Sequence, residues 1–169
     1  MEEILIVDGY NCIHAWPHLS RLKEESLEEA RSRLVEELSD YQAYRARRVI
    51  LVFDAHQKEG PGTMEVLGEV EIVYTDQDES ADRRIERLVR SLVRPDRHIY
   101  VATSDYTEQR VTFAQGALRI SARELYHDLQ ATRQRMRQEL ANLQNKPATI
   151  GQRLPKEMGE LFEKWRRGK

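Results

Sequence analysis

The sequence predicts an α/β domain built on a mostly parallel sheet with helices on both faces. Three observations carry that expectation. The apolar runs ILIV (4–7), VILVF (49–53) and IYVA (99–102) are continuous rather than alternating, as strands buried on both faces must be. Segments of helical periodicity separate them, which makes right-handed crossovers the natural connection. Each run also gives way to a short polar cluster, at the place where open α/β sheets bind their ligands.

The elements follow in order. After the first strand, Ser26 and Glu29 form a capping-box pair, and Leu27, Ala30, Leu34, Leu38 and Tyr41 then repeat on one helical face. The strand VILVF comes next, then VEIVY (70–74), whose alternation puts it nearer an edge. From Ala81 a second helix sets Ile85, Leu88, Val89 and Leu92 on one stripe and five arginines around the remainder, before Pro95 ends it. IYVA leads to a short helix over 107–115 that stops at Gly116, and ALRI (117–120) makes a fifth strand. Ser121 and Glu124 form a second capping box, opening a long helix marked by Leu125, Leu129, Met136, Leu140 and Leu143. Residues 1–145 thus form the main unit. Residues 146–169 are expected as a loop and a basic C-terminal helix packed on the same domain.

Composition narrows the class. A chain of 169 residues, 40% of them apolar, buries a core without disulfides, and its one cysteine, Cys12, is expected as a buried structural thiol in a reducing compartment. No apolar stretch nears the roughly 18 residues of a membrane helix, and the acidic start MEEILIV is unlike a secretory signal, so the expected location is the cytoplasm. The net charge of −2 hides an asymmetry: residues 1–120 carry 16 Lys and Arg against 23 Asp and Glu, whereas 121–169 carry 11 against 6. An acidic body with a basic tail suits an acid cluster in one region and a polyanion contact in the other.

Four acids are expected at one edge of the sheet: Asp8, Asp54 and Asp105 at strand ends, and Asp82 at the start of the Arg-rich helix. Alone, each is an ordinary cap or turn residue. Together they repel and need a cation, and oxygen-only ligands favour Mg²⁺ or Mn²⁺. A hard dication in such a place serves hydrolysis of a phosphate ester. Asn11 is either a helix cap or an orienting group for a carboxylate or phosphate, Gly9 is either a turn residue or an opening for backbone amides, and Thr103 and Ser104 are placed to bind a phosphate oxygen or a metal-bound water. The histidines contribute nothing to this expectation, since Pro17 between His14 and His18 rules out a helical zinc pair.

At this point VDGYN (7–11), VFDAH (52–56), ESADRRIERL (79–88), VATSDYTEQ (101–109) and QGALRISAREL (115–125) together resemble the NYN domains of the bacterial YacP-like family, members of the PIN-like nuclease superfamily. The similarity runs from about residue 4 to the terminal FEKWRRG. It implies a three-layer PIN-like fold of about five strands and divalent-metal-dependent RNA cleavage by Asp8, Asp82 and Asp105, with Asn11 and Asp54 nearby. It also implies endonucleolytic cutting of messenger RNA in association with the ribosome. The family form carries ETAD where this chain has ESAD, so Ser80 replaces a threonine and keeps the hydroxyl.

Arg83 and Arg84 beside the site, the group Arg133, Arg135 and Arg137, and Arg166 and Arg167 in the tail are the candidate RNA contacts, with Trp165 either stacking on a base or packing in the core. The rival reading is a non-catalytic RNA- or ribosome-binding adaptor with the same fold. A phosphohydrolase of haloacid-dehalogenase type would want an acid two residues after Asp8, where Tyr10 stands, and a phospho-receiver would want an acidic pair and a later lysine.

Overall fold

The structure, a computed structural model, describes residues 2–55, 63–145 and 164–166. Arg167 and most of the expected C-terminal loop and helix lie outside the described residues. Six strands form one sheet in the order β3-β4-β2-β1-β5-β6. They are β1 (Glu2–Asp8), β2 (Arg48–Phe53), β3 (Met64–Leu67), β4 (Val70–Tyr74), β5 (Arg97–Ala102) and β6 (Leu118–Ile120). Every pairing is parallel except β3 with β4. The sequence led to about five strands, and the sixth is β3. All four of its residues are exposed, so it carries no burial pattern and is held through its ladder to β4.

The central strands are apolar on both sides because both sides are covered. Leu5 and Val7 of β1 join Val49, Leu51 and Phe53 of β2 in one core, which is completed by α1 (Gly9–Ala15), α2 (Pro17–Glu25), α3 (Leu27–Arg45) and α6 (Ala122–Gln144). Ile4, Ile6, Ile50 and Val52 point the other way and pack with Ile85 and Val89 of α4 (Ala81–Leu92). The period of two along each strand divides these sets. The fifth helix, α5 (Tyr106–Ala114), follows β5, and the chain turns out of it at Gly116, whose φ of 103° is one that glycine adopts without steric cost.

Helix boundaries obey local chemistry. Ser26 caps α3 through the Glu29 amide, and Ser121 and Glu124 close a reciprocal capping box on α6. Pro17 does separate two helices, but it stands at the first position of α2, where its missing N–H costs nothing. The strand order sets the working edge of the molecule. β1 connects toward β2 on one side, and its neighbour β5 connects toward β6 on the other, so a switch point opens beyond the carboxyl ends of β1 and β5.

Candidate active site

Asp8 is the last residue of β1 and continues the face of Ile4 and Ile6, the face covered by α4. It is buried. Its Oδ1 accepts from the Asn11 amide at 3.5 Å, so it also caps α1, and the Thr103 hydroxyl donates to its Oδ2 at 3.5 Å. Asp82 enters from the first turn of α4. The third member of the group was not expected from the sequence: Glu108, in the first turn of α5 and only 2% exposed. One carboxylate oxygen from each of Asp8, Asp82 and Glu108 lies within 4.8 Å of the others.

That arrangement is electrostatically unsatisfied. Both Glu108 oxygens are buried without a hydrogen-bond donor, and ionised carboxylates accept only, so the three acids cannot satisfy one another without a shared proton or a cation. Burial, followed by the charges of Asp8 and Asp82, pushes the Glu108 carboxyl up to about 10. Burial, with a further push from Asp82, also raises Asp8 above the usual carboxylate range. Cys12 lies beneath. Its buried thiol is raised well above its ordinary value by burial and by Asp8 and Glu108, and it stays a neutral packing group.

The remaining expected site residues are distributed around this group. Asp105 caps α5, accepting from the Thr107 and Glu108 amides at 2.9 and 3.3 Å, and it stands outside the three-carboxylate set. Its geometric effect is to fix the turn that carries Glu108. Asn11 Oδ1 accepts from the Ser104 amide at 2.7 Å, which ties the β1–α1 junction to the β5–α5 loop. Thr103 is fully buried and links the same two regions through Asp8 and the Asp105 amide. Gly9 serves packing: a Cβ there would collide with the Phe53 ring. Asp54 stands outside the carboxylate group and lines the adjoining cleft with Asp8 and Asp82.

The ESAD segment resolves into separate tasks. Buried Glu79 holds Arg84 and Arg87, each at 2.7 Å, while Ser80 accepts from the Arg83 amide as the cap of α4. The threonine that the family resemblance implies here would keep a hydroxyl for the same cap. Arg84 is therefore committed to Glu79, with Asp76 at 3.7 Å, whereas Arg83 is exposed. On α6, Arg133 lies 3.7 Å from buried Glu37, and Arg135 and Arg137 are exposed, as is Arg166. Trp165 is 6% exposed and meets the Tyr44 ring edge-on at 5.6 Å, so it packs against the domain.

Comparison with known proteins agrees along the whole chain. The profile of the YacP-like NYN domain matches residues 5–167. The uncharacterized protein YacP of Bacillus subtilis (strain 168) is 45% identical over 166 residues, covering 98% of both chains. Crystal structures of Rae1 (YacP) from the same organism superpose with TM-scores of 0.80, for a tryptophan-to-leucine mutant, and 0.75. They are 44% and 46% identical to this chain, covering 99% and 98% of it and 96% and 95% of their own chains. Among the described residues no helix is long and apolar enough to cross a membrane. With profile, sequence and fold agreeing over nearly the whole chain, the chain belongs to the YacP-like NYN domain family and has its PIN-like fold.

Proposed function

We propose that this chain is a divalent-metal-dependent endoribonuclease that hydrolyses phosphodiester bonds of messenger RNA in association with the ribosome. The observation that carries the reading is the convergence of Asp8, Asp82 and Glu108 at the switch point, with both Glu108 oxygens lacking a donor. Three hard oxygen donors that cannot pair among themselves fit Mg²⁺ or Mn²⁺. A bound ion of this kind lowers the pKa of a water and neutralises charge developing on the phosphoryl oxygens.

The chain's own residues do the rest. Asp8, Asp82 and Glu108 would hold the ion from β1, α4 and α5, with the Glu108 proton released to solvent on binding. Thr103 and the Asn11 amide restrain the Asp8 carboxylate. Asp105 and the Asn11–Ser104 contact fix the two junctions from which Asp8 and Glu108 project. Exposed Arg83, Arg135, Arg137 and Arg166 are the proposed contacts to the RNA backbone. The messenger and ribosome parts of the reading rest on family resemblance.

The test is end-mapping of messenger RNA in a translating extract supplied with wild-type protein, Asp8→Asn or Asp82→Asn, with and without chelator. Each substitution is expected to abolish cleavage at saturating Mn²⁺ while leaving the circular dichroism spectrum unchanged. Cleavage at the wild-type rate by both variants refutes the reading. RNA binding indifferent to chelator and to both substitutions, without cleavage, identifies a non-catalytic adaptor.

A further inference from the structure

A cleft of about 630 Å³ opens beside the carboxylate group, a volume within the usual range of small-ligand sites. The sheet edge contributes Asp8 and Asp54 to it, α4 contributes Asp82, and α1 and α2 contribute Tyr10, His14 and Lys23. Lys23 is its one lysine or arginine among the described lining residues. A polyanion approaching three acids needs such a charge.

The cationic side of the cleft is organised. Lys23 Nζ lies 2.7 Å from His14 Nδ1. An ammonium can only donate, so Nδ1 accepts and the imidazole carries its hydrogen on Nε2. Partial burial and the Lys23 charge both hold His14 below its ordinary value, which keeps that tautomer neutral. The pair therefore offers the Nε2–H and the remaining ammonium hydrogens as donors. Tyr10 is fixed as well: its hydroxyl accepts from Arg31 Nη1 at 3.0 Å, and its ring packs 5.1 Å from Phe53. A restrained aromatic beside two phosphate-type donors suits a nucleotide of a single strand, the ring meeting the base and the donors meeting the backbone.

We infer that this cleft seats the nucleotide adjoining the scissile bond, with Lys23 and His14 donating to its backbone phosphate and Tyr10 walling its base. The inference rests on the endoribonuclease reading and adds the subsite that positions the strand. Lys23 and His14 are positioning residues.

The experiment is fluorescence anisotropy of a labelled single-stranded RNA of about twelve nucleotides, titrated with the full chain in EDTA so that binding is read without cleavage. Lys23→Ala is expected to weaken binding roughly fivefold and to reduce the log–log salt slope by about 0.7, the value for one phosphate contact on a single strand. His14→Ala is expected to weaken binding by a smaller factor, and Lys23→Arg to restore most of the loss. Arg94→Ala, exposed beyond the C-terminus of α4 at the other end of the sheet, serves as the charge control and is expected to bind as wild type. Equal affinities for wild type and Lys23→Ala overturn the inference, as does failure of the wild type to bind at millimolar protein. The two readings fail separately. Cleavage that persists while Lys23→Ala binds normally removes the subsite alone, and RNA binding through Lys23 without metal-dependent cleavage removes the nuclease reading alone.

Discussion

Glu108 is where sequence and structure differ most in the site. In α5 the side chains turned outward include Tyr106 and Phe113, 64% and 62% exposed, while Glu108 and Thr112 are turned inward. This inverts the hydrophobic pattern, so periodicity points away from the acid that joins Asp8 and Asp82. Asp8 and Asp82 were legible because one ends an apolar strand and the other opens a helix. The inverted acid has a thermodynamic signature. A carboxyl raised to about 10 in the folded, metal-free chain keeps a proton that the unfolded chain releases above its ordinary value of 4.5. Its contribution to stability is complete below that ordinary value and is lost as pH rises toward about 10, with a limiting slope of about 1.4 kcal/mol per pH unit for one proton. Glu108→Gln removes the titration while keeping the shape. In EDTA at pH 8 to 9 the variant is therefore expected to melt higher than wild type, with a flatter dependence of Tm on pH. It is also expected to lose the Tm increase that Mn²⁺ gives the wild type. Scanning fluorimetry over pH 6 to 9 measures all of this, and parallel curves for the two proteins would remove Glu108 from the site.

At the level of elements, β1, β2, β4, β5 and β6 were readable from apolar runs and α3 and α6 from capping pairs, because those signals are local. β3 was not, since its exposed residues join the sheet through backbone pairing that leaves no side-chain pattern. α1 and α2 were obscured by Pro17, which reads as a breaker yet starts the second helix. Asp105 shows how an element end can serve the site without joining its carboxylate group. Its Oδ1 accepts from the Thr107 and Glu108 amides, so the cap determines where Glu108 stands. Asparagine caps about as well as aspartate, and alanine costs about 1 kcal/mol. Asp105→Asn is thus expected to retain most of the metal-dependent cleavage. Asp105→Ala is expected to require roughly tenfold more Mn²⁺ for half-maximal activity, in line with losses seen when supports of metal ligands are removed. Cleavage measured across a Mn²⁺ titration separates the two roles. If Asp105→Asn is as inactive as Asp8→Asn at saturating metal, Asp105 is itself a ligand.

For the molecule as a whole, the sequence leads to a basic C-terminal helix packed on the same domain, and of that helix the described residues include Trp165. Composition marks the stretch by charge, and its tryptophan reads as a core residue ahead of a platform for a nucleobase. Trp165 packs edge-on against Tyr44 of α3, and the Tyr44 hydroxyl donates to Glu139 of α6 at 3.1 Å. One aromatic contact therefore joins the end of the chain to two helices on the same face of the sheet. If this contact belongs to the cooperative unit, its loss must lower the stability of the entire domain. Truncating a buried tryptophan costs about 3 to 5 kcal/mol, and a site at the margin of the core takes the lower end. For a chain of this length about 3 kcal/mol corresponds to a fall in Tm of roughly 6 to 12 °C. Trp165→Ala is expected to show that fall as a single transition in calorimetry, with Trp165→Phe recovering part of it. A Tm equal to that of wild type would mean that the tail docks without contributing to folding, leaving Trp165 available to a base.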